Sequence, residues 1–178
     1  YDQLANYINA IAHGHQTEVN FVSNRIRDPV MAGFILGKLS RSRELGVTLS
    51  LSNDSYLPML KDSELIHELI TIVGNLIDNA FEAVADSISK EVAVSIVRTS
   101  NLIKIEVSDT GVGIRDDLQE QIFIQGFSTK AESRGFGLAL VQASLERLDG
   151  RIELNSSVGK GTKFTVFIPY QGKVNSDD

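Results

Sequence analysis

Between Leu65 and Val84 the chain is apolar on most sides of a helix, with Leu65, Ile66, Leu69, Ile70, Val73, Leu76, Ile77, Phe81 and Val84 in the run. Set into it are Asn75, Asp78, Asn79 and Glu82, whose spacings of three, four and seven place them on one face. Burying such groups without partners costs about 1–3 kcal/mol each. The stripe therefore either faces water, as Asp78 and Glu82 readily could, or faces something that uses amide oxygens. Downstream lies Ser108-Asp-Thr-Gly-Val-Gly-Ile114. A simple reading is a glycine turn capped by Asp109. A chemical reading also exists. A buried carboxylate only accepts hydrogen bonds, so Asp109 suits the exocyclic amine of adenine and repels the oxygen that guanine presents there. Gly111 and Gly113 would let backbone approach the base closely.

Phe123-Ile-Gln-Gly-Phe127-Ser-Thr-Lys130 follows. Its phenylalanines can serve as anchors, and Ser128, Thr129 and Lys130 offer hydroxyls and a positive charge for phosphate. Arg134-Gly135-Phe-Gly137-Leu138 stands at a loop-to-helix junction, where backbone N–H groups at the positive end of a helix favour anions. It is not a Walker loop, because Gly-x-x-x-x-Gly-Lys-Ser/Thr is absent. Gly159-Lys-Gly161-Thr162 enters a strand and serves equally as a plain hairpin turn or a binding turn.

The elements that must hold these residues follow from periodicity. Leu4, Ile8, Ile11, Val19, Val22 and Ile26 form one helical stripe, broken at Asp28-Pro29. A second helix spans 30–45 and stops at Gly46. Residues 47–51 alternate as a strand, and Asp62-Ser63 caps the long helix, which should run to about Ser87. Strands are expected at 91–99, 102–108, 151–155 and 162–169, and a helix at 135–148. The stretch 109–134 is long for a loop and has the length of a functional lid. This order predicts an α+β fold, a two-layer α/β sandwich with helices on one sheet face. The expected division is 1–45 for the opening helices, 46–170 for the sandwich and 171–178 for a fraying tail.

Composition narrows the function. The 178 residues are 42% hydrophobic and 22% charged, as in an ordinary globular domain. There is no cysteine and there are three histidines, so disulfides, thiol nucleophiles and a zinc site are poor readings. The net charge is -6, and the acidic excess lies wholly after residue 60, which disfavours nucleic acid as a partner. No apolar run is long enough to span a bilayer, so no membrane contact by this chain is expected. The opening Tyr1-Asp-Gln-Leu reads as the start of a cut fragment.

Taken in order, Asn75-x-x-x-Asn79-Ala, Asp109-x-Gly111-x-Gly113-Ile114, a phenylalanine-bearing lid, Gly135-x-Gly137-Leu138 and Gly159-x-Gly161-Thr162-x-Phe164 resemble the asparagine, phenylalanine and glycine boxes of the GHKL ATP-binding fold. That superfamily includes sensor histidine kinases, type II topoisomerases, heat-shock chaperones and mismatch-repair proteins. The hydrolysing members carry glutamate where this chain has Asn75, which cannot take a proton from water. The resemblance therefore implies phosphoryl transfer to a protein rather than hydrolysis. Residues 27–46 and 75–83 look like the citrate and four-carbon-dicarboxylate sensor kinases. Where many kinases have lysine three residues after the second asparagine, this chain has Glu82, which shifts weight to Lys130.

The resemblance implies ATP and magnesium as ligands. Asn79 would be the main magnesium ligand, assisted by Asn75, and Lys130 would offset γ-phosphate charge. Asp109 would read adenine, with Gly111 and Gly113 shaping the base pocket and Ile77, Ile114 and Phe164 as apolar walls. Gly135 and Gly137 would hold the phosphates, and Phe127, Ser128, Thr129, Arg134, Leu138 and Thr162 would also bind the nucleotide. Of the histidines, His13 and His15 lack a following acid, and His67-Glu68 lies on the ATP-site helix. The acceptor histidine is thus expected on a helix outside this chain, and the opening helix resembles the second of a dimerisation hairpin. The implied partners are that helix, a response regulator and, at full length, a second copy in a bacterial inner-membrane protein with this domain in the cytoplasm. A hydrolysing machine of the topoisomerase or chaperone type, a non-catalytic nucleotide-binding module and an anti-sigma-type serine kinase are the alternatives.

Overall fold

Asp28 shows how local chemistry sets the chain's path. In the computed structural model, which describes residues 2–124 and 136–171, its carboxylate is 3% exposed. Its Oδ1 accepts from the Val30 and Met31 N–H groups, both at 3.0 Å. Oδ2 accepts from the Leu60 N–H at 3.2 Å. One side chain thus starts helix α2 (Pro29–Glu44), just after helix α1 (Asp2–Arg25), and pins a distant loop. Pro29 follows naturally, since the first turn needs no N–H from it. Gly46, at φ +66°, turns the chain out of α2 in the left-handed region.

Strand β1 (Thr48–Leu51) comes next, then helix α3 (Ser63–Val84) capped by Asp62, whose Oδ1 accepts from Glu64 and Leu65 N–H. Strands β2 (Glu91–Arg98) and β3 (Leu102–Asp109) form a hairpin. Two single 3₁₀ turns follow, Asp116–Leu118 and Gln121–Phe123. Helix α4 (Gly137–Arg147) leads into the hairpin β4 (Arg151–Ser157) and β5 (Gly161–Pro169). The sheet order is β1-β2-β3-β5-β4, with β1 parallel to β2 and the other pairs antiparallel.

Register sorts the side chains into rows. Ile96, Ile105, Val166 and Ile152 form one row across the sheet, and Val94, Val107, Phe164 and Leu154 the next. These rows belong to the apolar core with α3 and α4. On the other face Glu106 pairs with Lys104 at 3.1 Å and Lys163 at 2.9 Å. One dry face and one wet face make the expected two-layer sandwich.

Three boundaries differ from the periodicity by two residues or more. Helix α3 stops at Val84, where Ala85 N–H turns back to Glu82 O and Ser87 N–H to Val84 O. These tight bonds end the helix before Ser87. Helix α4 begins at Gly137, and β4 runs on to Ser157 because it stays paired to Gly161. Helix α2 packs on α3 at Gly74, where a Cβ would stand 2.9 Å from the Phe34 ring. Lys38 pairs with Asp78 at 2.5 Å beside this contact.

Replacing Asp28 with alanine removes a cap and strands the Leu60 N–H. We expect a loss of about 3 kcal/mol in unfolding free energy, read by urea titration.

Candidate functional site

Helix α3 carries the site along one face, at Asn75, Asn79 and Ala83, spaced four residues apart. At 1.5 Å rise per residue this face spans about 12 Å. Asn75 is half-buried, and its Nδ2 donates to Thr71 O at 2.7 Å. A carbonyl oxygen only accepts, so this bond fixes the amide and turns Oδ1 away from the helix backbone. The Asn79 side chain makes no hydrogen bond among the described residues. Both amide oxygens converge on Gly137 at the start of α4. A Cβ there would stand 3.0 Å from Asn75 Oδ1 and 3.7 Å from Asn79 Oδ1. Glycine is needed because a side chain would fill the space the two oxygens face. Asp78, by contrast, is exposed and turned to Lys38 on α2. Within the polar stripe the amide pair therefore faces α4 and the Asp78 carboxylate faces α2.

One turn further along α3, at Ala83, the loop after β3 arrives. Val112 N–H donates to Ala83 O at 3.3 Å. Gly111 lies so close that a Cβ would sit 2.4 Å from the same oxygen. Gly113, at φ +72°, would put a Cβ 2.1 Å from Ser157 O. Gly161, at φ +95°, would put one 1.9 Å from Asp109 O. Three glycines thus let three backbone segments meet with no side chain between them. Thr110 adds a fourth tie, accepting from Glu91 N–H at 3.1 Å and donating to Ser89 O at 3.0 Å.

Asp109 ends β3 beside this junction. Its carboxylate accepts from Gly111 N–H at 2.8 Å and from the Thr162 backbone N–H. Burial pushes its pKa above the usual aspartate value, and the two N–H bonds oppose that rise only in part. Register places Ser156, Thr162 and Asp109 in one row, continuous with Val92. The row lies on the face of the apolar rows that precede it. The dry side of the sheet therefore ends in a polar edge next to the glycine junction. Phe164, one row inward, meets Phe123 edge-on at 6.4 Å. Ile77 and Phe164 are buried in the core, while Ile114 and Leu138 are half-buried at its rim.

The structure therefore groups Asn75, Asn79, Gly137 and Leu138 where α3 meets the start of α4. It groups Asp109, Gly111, Gly113, Ile114 and Thr162 at the glycine junction beside Ala83. Phe127, Ser128, Thr129, Lys130, Arg134 and Gly135 lie outside the described residues. Ser156 and Gln119 were missed by sequence reasoning. Ser156 Oγ accepts from Ile114 N–H at 2.8 Å, and Gln119 Nε2 reaches Ile114 O and Ser156 O. The signal for Ser156 was period-two alternation continuing past Ile152 and Leu154.

Among the described residues no group of three His, Cys, Asp or Glu could hold a metal. The donor set on offer is two neutral amide oxygens, which suits a hard cation whose remaining ligands are phosphate oxygens and water.

Residues 64–172 match the family described as histidine kinase-, DNA gyrase B- and HSP90-like ATPase. The sensor histidine kinase DcuS of Escherichia coli K12 is 40% identical over 173 residues, 97% of this chain and 32% of that protein. A probable C4-dicarboxylate sensor kinase of Halalkalibacterium halodurans is 42% identical over 151 residues, 83% of this chain and 28% of that one. The chain spans about a third of the length of these relatives. Full-length ShkA, solved in complex with AMPPNP, shares the fold with a TM-score of 0.63 at 24% identity, covering 77% of this chain and 29% of that one.

Two outcomes follow from this geometry. Gly111→Ala drives a methyl into a main-chain oxygen and should cost about 2–3 kcal/mol of stability, measured by urea titration. An NMR titration of the Asp109 carboxyl carbon should give a midpoint above the usual aspartate value. A carboxyl that holds its proton more tightly when folded contributes most stability below its unfolded pKa. That contribution is lost as pH rises through the folded value.

Proposed function

Because the chain belongs to the histidine kinase-, DNA gyrase B- and HSP90-like ATPase family, we propose that it is the Mg-ATP-binding catalytic domain of a sensor histidine kinase of the citrate or dicarboxylate type. In this reading it passes the γ-phosphoryl group of ATP to a histidine on a separate helix. The observation that carries the reading is the pairing of two ends on one α3 face. The Asn75 and Asn79 oxygens meet at Gly137, and the Asp109 carboxylate stands beside the glycine junction at Ala83.

The residues divide the work by their chemistry. Asp109 accepts from the exocyclic amine of the base, and its own N–H partners hold the carboxylate in place. Gly111 and Gly113 admit the base against bare backbone. Gly137 opens the space where phosphates would lie against the start of α4, whose N–H groups favour anions. Asn79 and Asn75 would hold magnesium through their amide oxygens. Magnesium would supply charge neutralisation on the phosphate oxygens. Neutral ligands fit there because the nucleotide already brings the negative charge. Lys130 would add positive charge near the γ-phosphate.

Asn75 also supports transfer over hydrolysis. Its nitrogen is committed to Thr71 O, and an amide cannot deprotonate a water. Water held near it would remain a poor nucleophile, whereas a histidine side chain needs no such base. We place the acceptor histidine outside this chain, because no described histidine lies in the cleft. His13 and His15 are on α1, and His67 is on the first turns of α3.

The wider setting belongs to the same proposal. Helix α1 exposes Leu4, Ile8, Ile11 and Val19, which fits the second helix of a dimerisation hairpin joined to a second copy. Residues 1–45 then form hairpin and linker, and 46–170 the catalytic domain. A response regulator would take the phosphoryl group onward. No helix among the described residues is long and apolar enough to cross a membrane. We place the full-length protein at the bacterial inner membrane, with this domain on the cytoplasmic side, on its likeness to the dicarboxylate sensor kinases.

Asn79→Ala should abolish magnesium-dependent ATP binding in calorimetry while the NMR fingerprint of the fold persists; unchanged affinity removes Asn79 from the site. Mixing the wild-type chain with ATP, magnesium and a separately made acceptor helix should put acid-labile phosphate on that helix. Steady phosphate release without transfer contradicts the kinase reading.

A further inference from the structure

Ser156 lies outside every motif that points to the nucleotide, yet it is the end residue of the polar row. Its hydroxyl has one proton to give and two lone pairs to receive. Three partners surround it: Ile114 N–H at 2.8 Å, Gly161 O at 3.0 Å and Thr162 Oγ1 at 2.9 Å. Ile114 N–H can only donate and Gly161 O can only accept. One arrangement satisfies all of them. Ser156 gives its proton to Gly161 O and receives from both Ile114 N–H and the Thr162 hydroxyl. The single Thr162 proton is then spent on Ser156. Thr162 Oγ1 then keeps only lone pairs for any further partner, and Asp109 is the direct neighbour of Thr162 across β3 and β5.

We propose that Ser156 is a specificity-determining positioning residue: by taking the Thr162 proton it makes the floor of the base pocket a pair of hydrogen-bond acceptors, which selects a purine with an amino group at position 6 over one with a carbonyl there. This rests on the nucleotide reading above and adds to it a residue that never touches the base. An amino group offers two N–H donors to the Asp109–Thr162 pair. A carbonyl offers none and meets two acceptors, which is selection by an unfavourable alternative. Without Ser156, the Thr162 hydroxyl is free to rotate and turn its proton toward a carbonyl. Ser156 also holds the Ile114 N–H, so the loss has a structural component, and the test must separate the two.

The test is calorimetric titration of the chain with Mg-ATP, Mg-inosine triphosphate and magnesium tripolyphosphate. Wild type should prefer ATP to inosine triphosphate. Ser156→Ala should shrink that preference about tenfold, the worth of one redirected hydrogen bond, with tripolyphosphate affinity unchanged. Ser156→Thr, which keeps a hydroxyl, should restore the preference. In a Thr162→Val background Ser156→Ala should leave the ratio unmoved, because no hydroxyl remains to turn. If Ser156→Ala does not fold, Ser156→Cys supplies the same comparison with a weak acceptor. A ratio that stays fixed while both nucleotides weaken equally, or not at all, overturns the proposal and leaves Ser156 a structural tie. Failure of wild type to bind ATP at all instead overturns the nucleotide reading itself.

Discussion

The close approach of backbone to backbone at one end of the sheet is the constraint on which the rest depends. The loop after β3 must touch Ala83 on α3, the β4–β5 turn must touch that loop, and β5 must start against Asp109. Each of these contacts leaves no room for a Cβ, at Gly111, Gly113 and Gly161 respectively. Interiors are packed too densely for such segments to separate without exposing core. Once they are joined, the position of Asp109 relative to α3 is set. So is the direction in which Asn75 and Asn79 look, since both lie on the same face of that helix as Ala83.

The division of polarity follows from this. Where a helix buried on most sides turns polar residues toward a packed neighbour, that neighbour must leave them room. Gly137 is that partner for the amide pair. A sheet with a dry face can end in a polar row only where its members satisfy one another. Ser156, Thr162 and Asp109 do so through backbone N–H groups and shared hydroxyls. The carboxylate of this row, Asp109, is kept at the end away from the amide pair. An anionic ligand would otherwise meet like charge. The burial that raises the Asp109 pKa is the cost of placing an acceptor-only group at this edge of the sheet.

Much of this was legible in the sequence, for identifiable reasons. Asp28-Pro29 and Asp62-Ser63 announce helix starts through a carboxylate that can reach free N–H groups, and both act so. The strands of the sheet alternate cleanly, because one face is wet. The asparagine spacing on α3 and the glycine spacings after β3 and before β5 marked residues that meet in space. What escaped was set by neighbours distant in sequence. Asp78 looked like one of four in a stripe, and only Lys38 on α2 draws it out of the group. Ser156 fell outside the expected strand, because β4 runs two pairs further than its alternation suggested. Its function comes from Ile114 and Thr162, which register alone places beside it.

The most direct test of the central claim is a crystal structure of the chain with AMPPNP and magnesium. The account predicts the base against Asp109 and Thr162, the phosphates alongside Gly137, and the cation in contact with the Asn79 oxygen. Nucleotide bound elsewhere, or density showing the cleft between α3 and the glycine junction closed by side chains, would contradict it.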